Sequence, residues 1–261
     1  MILFVFEGKK TEPNLFKTLE YLYFTKKNER KICCFGYNIY ELYRLMNESD
    51  FEEDVVSVIR DKLSNRPDNP LKNVTDVADI SEIYLFFDYD FQNKNLSSDE
   101  INEQVKKLLH FFNDESENTR LYIHYPMVES IKCTNELPDA DYMNYVAKRT
   151  DCDDFKYFVT QKFNFYKSSD FYELSVNKKT NDLRPVTAAK ELKIRQNWEF
   201  IKQQNISKAN YICTGLYCIP QNEKDIDQAK IFENQLEKYI LPTDSVAILN
   251  AFPIFLYEYF R

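Results

Sequence analysis

The run EIYLFFDYD, residues 82–90, decides how this chain is read. Ile83 through Phe87 are all aromatic, aliphatic or β-branched, as in a strand buried on both faces, and the run stops abruptly in two acids, Asp88 and Asp90. Such strands belong to parallel sheets covered by helices on both sides. The neighbouring segments agree. ILFVF, 2–6, is a second such run, ending in Glu7 and then Gly8, one of 3 glycines in 261 residues. KICCFGY (31–37) and RLYIHYP (120–126) supply two more strands. Between them lie PNLFKTLEYLYFT (13–25), with Thr11 as N-cap and Pro13 in the first turn, IYELYRLMN (39–47), and SSDEINEQVKKLLHFF (97–112), with a serine cap and acids in its first turn; all three have helical spacing. DKLSNRPDNPLKNVTD (61–76), with two prolines, predicts a loop. Strands alternating with crossover helices predict an α/β core with a mainly parallel sheet over residues 1–137.

Beyond residue 138 the pattern changes. DADYMNYVAKRT (139–150), DDFKYFVTQKFNFY (153–166), PVTAAKELKIRQNWEFIKQQN (185–205), DIDQAKIFENQLEKYI (225–240) and FPIFLYEYF (252–260) all read as helix. A helical region, 138–261, packed on the α/β core is the expectation, and MVESI after the fourth strand starts a further helical stretch.

Composition narrows the chemistry. With a hydrophobic content of 44% the chain can fill a substantial core, and its net charge of -8 rules out whole-molecule attraction to nucleic acid or anionic lipid, so an anionic substrate must be met locally. The 6 cysteines lack metal-type spacing and read as reduced thiols, and 2 histidines leave few candidates for a Ser-His-Asp triad or a histidine metal site. The strand-like run directly after Met1, with no leader ahead of it and no stretch of membrane-spanning length, predicts a cytoplasmic protein with no membrane partner. Chemistry based on carboxylate oxygens is what remains.

In a parallel α/β sheet, sites gather beyond the carboxyl ends of the strands. Glu7, Asp88, Asp90 and Glu129 all follow strand candidates and so fall on one edge. The i, i+2 spacing of Asp88 and Asp90 predicts two side chains on one face with Cα atoms roughly 6–7 Å apart, suited to sharing a hard cation such as Mg²⁺ or Mn²⁺. Gly8 would let the backbone turn tightly and approach a substrate. Each residue alone also has a plainer reading: Glu7-Gly8 as a turn, Asp88 and Asp90 as loop caps, Glu12 as first-turn charge of a helix, Glu129 as a solvated helix residue. Their joint occurrence favours a metal site.

FVFEGKKTEPNLF together with YLFFDYDFQ resembles the Toprim fold of topoisomerases, primases and several nucleases, and Glu-Gly-x-x-Thr-Glu-Pro is most similar to RloB-like and OLD-type Toprim proteins of bacterial defence loci. The resemblance covers roughly residues 1–135. It implies a Toprim-like sheet, Glu7 as general acid/base or first metal ligand, Asp88 and Asp90 as metal ligands, Glu12 as an added acid, and Glu129 within a downstream Pro-x-x-Glu element. Glu7 and Glu12 are thus candidate catalytic residues, Lys10 is added to them as a basic residue close to Glu7 although no lysine matches a family position, and Glu7, Asp88, Asp90 and Glu129 are the candidate metal ligands. Lys9 and Lys10 read either as contacts to nucleic-acid phosphates or as solvated loop lysines. The implied activity is Mg²⁺-dependent cleavage of phosphodiester bonds in DNA, tRNA or another RNA by a toxic effector of antiphage defence, with a partner ATPase expected and a homo-oligomer left open. Lys190, Lys193, Arg195 and Lys202 could form a basic helical stripe, although their alternation with apolar residues favours a solvated face.

Three rival readings stand beside it. A dehalogenase-type phosphatase also uses Asp-x-Asp, but after its first strand, and Gln92 stands here where those enzymes usually have Thr or Val. A glycosyltransferase using Asp-x-Asp would leave Glu7-Gly8 unexplained. A catalytically silent Toprim-fold partner or regulator should have lost an acid, and none is lost.

Overall fold

The computed structural model describes residues 1–24, 29–74, 76–164, 171–177, 179–222 and 225–260. Four strands, β1 (Ile2–Phe6), β2 (Arg30–Cys34), β3 (Glu82–Asp88) and β4 (Thr119–His124), form one parallel sheet in the order β2-β1-β3-β4. Helices flank it, as the runs at 2–6 and 83–87 predict. The chain passes from β1 through α1 (Thr11–Tyr23) to β2 on one side. It then crosses through α2 (Ile39–Glu48) and α3 (Val55–Lys62) to β3 on the other side of β1, and α4 (Ser98–His110) leads to β4. Strand order therefore reverses between β1 and β3, opening a crevice at their carboxyl ends.

Aromatic side chains build the core. Phe4 packs on Phe16 of α1 with centroids 4.2 Å apart, and Phe86 stacks on Phe252 at 4.8 Å. Phe252 belongs to α10 (Ala251–Tyr259), whose Phe255 also meets Phe4, Tyr84 and Tyr122. Helix α10 thus covers a sheet made more than a hundred residues earlier. Buried side chains from Ile2 to Leu256 form one contiguous cluster.

The outer edge of β4 is closed by side-chain amides. Asn113 accepts from Leu121 N–H at 2.8 Å and donates to its carbonyl at 3.3 Å, Gln228 accepts from Ile123 N–H at 3.2 Å, and Tyr125 exchanges two backbone bonds with Leu249. These contacts occupy groups that an open edge would offer to another strand.

Several boundaries differ from expectation. Lys10 stands at the N-cap of α1 without a side-chain cap, and Thr11 is the first helical residue, so Thr11 is not the cap. The serine cap of α4 is Ser97, which forms a reciprocal box with Glu100. Helix α3, capped by Asp54, takes up the start of the predicted 61–76 loop. The predicted helix over 139–150 is instead a 3₁₀ turn (Tyr142–Asn144), strand β5 (Val146–Lys148) and short helix α5 (Arg149–Cys152). β5 pairs antiparallel with β6 (Ser245–Ala247), nearly a hundred residues downstream, and this long-range pairing overrides the local helical spacing.

α6 (Phe155–Lys162) and α8 (Gln228–Gln235) with the π turn Leu236–Ile240 fall within predicted segments, α7 (Ala188–Thr214) runs nine residues past the predicted end at 205, and α9 (Leu241–Thr243) is a short helix not expected from the sequence. Thr25 and residues 165–166 of the predicted helices lie outside the described residues. MVESI forms a 3₁₀ turn, Val128–Lys132. Among the described residues, no helix is long and apolar enough to cross a membrane.

Candidate functional site

At the carboxyl end of β1 the chain leaves the sheet between its neighbours: Glu7 N–H donates to Phe86 O at 3.1 Å, and Gly36 N–H donates to Glu7 O at 2.8 Å. Glu7 Oε2 accepts from Asp88 N–H at 3.1 Å, so the first strand's acid is fastened to the last residue of β3. Asp88 Oδ1 in turn accepts from Val128 N–H at 2.8 Å, in the turn after the cis Tyr125-Pro126 bond. The crevice at the strand-order reversal is thereby lined by carboxylates held on backbone amides.

Gly8 serves Glu12. Its N–H donates to Glu12 Oε1 at 2.7 Å, and a Cβ added there would lie 2.5 Å from Glu12 Oε2. The left-handed backbone angles among the described glycines belong to Gly36 and Gly215, so the absence of a Cβ is what position 8 requires. Glu12 is accordingly buried and turned toward the site.

A cavity of about 550 Å³ joins these groups. Glu7, Glu12, Asp88 and Glu129 line it together with Gln92, Lys9 and Lys10. Asp90 is not on its wall. Asp90 has a left-handed φ of 46°, and its Oδ1 accepts from Gln92 Nε2 at 3.0 Å. β3 has ended at Asp88, so the same-face argument for an i, i+2 pair does not hold; Tyr89 between them is buried, its N–H bonded to His124 O at 3.0 Å and Pro126 O at 3.1 Å. Asp90 reaches the cluster through its charge.

Among Glu7, Asp88 and Asp90 the electrostatics are one-sided. Burial, then the Asp90 charge, holds the Glu7 carboxyl well above the usual range, with the Asp88 N–H opposing. Burial, then Glu7 and Asp90, does the same to Asp88. Burial raises Asp90 against the Gln92 amide and raises Glu12 against amide hydrogen bonds from its own N–H and that of Gly8. His124, paired with Asp88 in the strand register, is fully buried and pushed down to about 3 by that burial, so it is neutral and supplies no counter-charge.

The sequence reading missed the far wall, Cys152 to Lys156. Lys156 Nζ stands 3.3 Å from Glu129 Oε1. Arg149 brings this wall in: its Nε meets Asp244 Oδ1 at 2.8 Å, its Nη2 donates to Ser98 Oγ at 3.1 Å, its Nη1 donates to Phe91 O, and its guanidinium lies over the Phe91 ring. Nothing in the local spacing of TDCDDFK marks Lys156, because its place depends on the β5-β6 pairing. The stripe on α7 has local partners: Arg195 pairs with Glu191, Lys202 with Glu199, and Lys193 lies over Phe171. Arg195 also donates to Leu22 O and Lys202 lies over the Tyr23 ring, so part of the stripe packs against α1. The six cysteines are free thiols.

Among the described residues, no group of three or more His, Cys, Asp and Glu side chains stands in a metal-holding arrangement. The donor chemistry nevertheless fits a hard cation. The donors are all oxygens, mutually repelling, and Gln92 Oε1, a buried amide oxygen on the same cavity, has no hydrogen-bond partner among the described residues. No family model, curated protein or solved structure matches the chain.

Proposed function

We propose that this chain is a metal-dependent nuclease of the Toprim type, cleaving phosphodiester bonds at the carboxyl ends of β1 and β3. The observation that carries the reading is the convergence of acids from separate elements, Glu7, Glu12, Asp88 and Glu129, on one cavity with a lysine-bearing rim, in a chain of net charge -8. Glu7, Asp88 and Glu129 would hold Mg²⁺ or Mn²⁺, Gln92 Oε1 offers a further oxygen, and Asp90, off the cavity wall, would join them as a ligand only by turning toward Glu7 and Asp88, on which its charge already acts. The bound ion would supply polarisation of the scissile phosphate and a lowered pKa for an attacking water. Glu7 and Glu12, whose carboxyls burial shifts toward the protonated form, are the groups suited to general acid/base work. Lys9, Lys10 and Lys156 on the rim meet the substrate's phosphates. A role as toxic effector of antiphage defence, held in check by a partner ATPase, belongs to this reading through the sequence resemblance alone.

The test is cleavage of total tRNA and plasmid DNA with and without Mg²⁺, comparing wild type with Glu7→Gln and Asp88→Asn. Both substitutions should lower the metal-dependent rate at least about 10²-fold while the far-UV spectrum is unchanged. Full activity in both variants, or turnover of a generic phosphate ester or nucleotide-sugar with inert nucleic acids, would refute the proposal.

A further inference from the structure

Directly beside the acid cluster the chain after β2 makes a tight, fixed turn. Phe35 N–H donates to Phe6 O at 2.8 Å and Gly36 N–H to Glu7 O at 2.8 Å, so this turn is tied to the same backbone that presents Glu7. Gly36 has φ +78°, and the space a Cβ would fill there is taken by Lys9, whose Cε lies 2.9 Å from that point. Arg66 Nη1 clamps the carbonyls of Cys34 and Phe35 at 2.9 and 3.0 Å. The residue delivered by the turn is Tyr37. It is 40% exposed although it is a large aromatic side chain. Its ring packs edge-on against Phe35 with centroids 5.3 Å apart, and Lys62 Nζ lies 4.4 Å from its centroid. An aromatic ring thus follows directly on a turn that is bonded to the Glu7 backbone, and Lys9 spans from that turn to the wall of the acid-lined cavity.

We propose that Tyr37 is a base-stacking platform and that the substrate is a nucleic acid with an unpaired base beside the phosphate to be cut, such as a single strand, loop or end. The inference rests on the phosphodiester reading of the site and adds the substrate class to it. A rigid ring offers a stacking partner to any base whose face is free, whereas an intact duplex keeps its base faces covered. Lys9, beside Gly36 and on the cavity wall, suits a flanking phosphate, while Lys62, which also pairs with Glu41, lies over the ring.

The experiment uses the full chain in Ca²⁺ and a single-stranded oligonucleotide carrying 2-aminopurine, with the same sequence as a duplex alongside. Stacking on Tyr37 should quench the fluorophore. Tyr37→Ala should weaken single-strand binding about tenfold, while Tyr37→Phe and Tyr37→Trp retain it and the duplex binds weakly to all. Equal single-strand affinity of Tyr37→Ala and wild type, or a duplex bound as tightly as the single strand, overturns the inference. Cleavage of the same oligonucleotides in Mg²⁺ is scored separately. Tyr37-dependent binding without cleavage keeps the platform and removes the nuclease, cleavage with binding indifferent to Tyr37 does the reverse, and neither binding nor cleavage removes both.

Discussion

Two regions of this molecule bury charged side chains, and they treat them in opposite ways. Around Asp139, the carboxylate accepts hydrogen bonds from Thr134 Oγ1, Asn135 N–H, Asp141 N–H and the Tyr145 hydroxyl. Nearby Lys208, fully buried, donates to the carbonyls of Tyr142 and Tyr145, and Asn205 takes the Tyr142 hydroxyl and Asn250 N–H. Donors and acceptors match, as a structural network requires. At the carboxyl ends of β1 and β3, by contrast, acids face acids, and single amides hold Glu7 and Asp88. A fold that can satisfy buried charge in one place and leaves it unbalanced in another marks the second as a place for something that brings positive charge.

The largest expected effect tests the balanced region. Asp139→Ala strands several donors at once and should cost about 3 kcal/mol or more in urea unfolding. A loss below about 1 kcal/mol would mean that the network is not what holds the 134–145 segment. Next comes Lys208, whose pKa burial pushes down to about 7. Between about pH 7 and pH 10 the unfolded chain binds a proton that the folded chain does not, so stability should rise with pH through that window, by roughly 3 kcal/mol. Lys208→Met should abolish the rise; an equal slope in the variant would assign it elsewhere.

In the unbalanced region the sign reverses. Asp88→Asn keeps an acceptor for Val128 N–H and removes one repelling charge, so without divalent cations it should be more stable than wild type by about 1 kcal/mol. Mg²⁺ should raise the wild-type Tm more than that of the variant. A variant that melts lower and responds equally to Mg²⁺ would place the acids with the balanced network. The smallest effect is at Gly8. Gly8→Ala must displace the Glu12 carboxylate, costing about 1 kcal/mol, and in a Glu12→Ala background the same change should cost almost nothing. Additive losses would show that Gly8 answers to something other than Glu12.

Legibility in the sequence followed the same division. β1 and β3 are continuous apolar runs because both faces are covered, and the acids that end them are where the reading put them. The parallel sheet and helices flanking it could be read from those runs. The same-face reading of Asp88 and Asp90 fails because β3 ends at Asp88 and Asp90 lies in a turn that only the contact with Pro126 reveals, although its charge still acts on Glu7 and Asp88. Helix was assigned to 139–150 because a three-residue strand whose partner lies nearly a hundred residues away leaves no periodic trace. Lys156 was missed for the same reason. The sequence marks the glycine at position 8, but its cause, a carboxylate four residues on, belongs to packing and not to backbone conformation.

Helix α10 carries a consequence for how the molecule comes into being. The strands of the sheet are complete once residue 124 has been made, yet the face bearing Phe4, Phe86 and Tyr122, which Phe16 of α1 covers only in part, lacks its α10 partners until residues 251–259 arrive. Closing the core therefore waits on contacts of very long sequence separation, which slows folding and leaves a half-built sheet exposed during synthesis. For a chain that brings four acids to one cavity, maturation of that site is timed by a helix that contributes none of them.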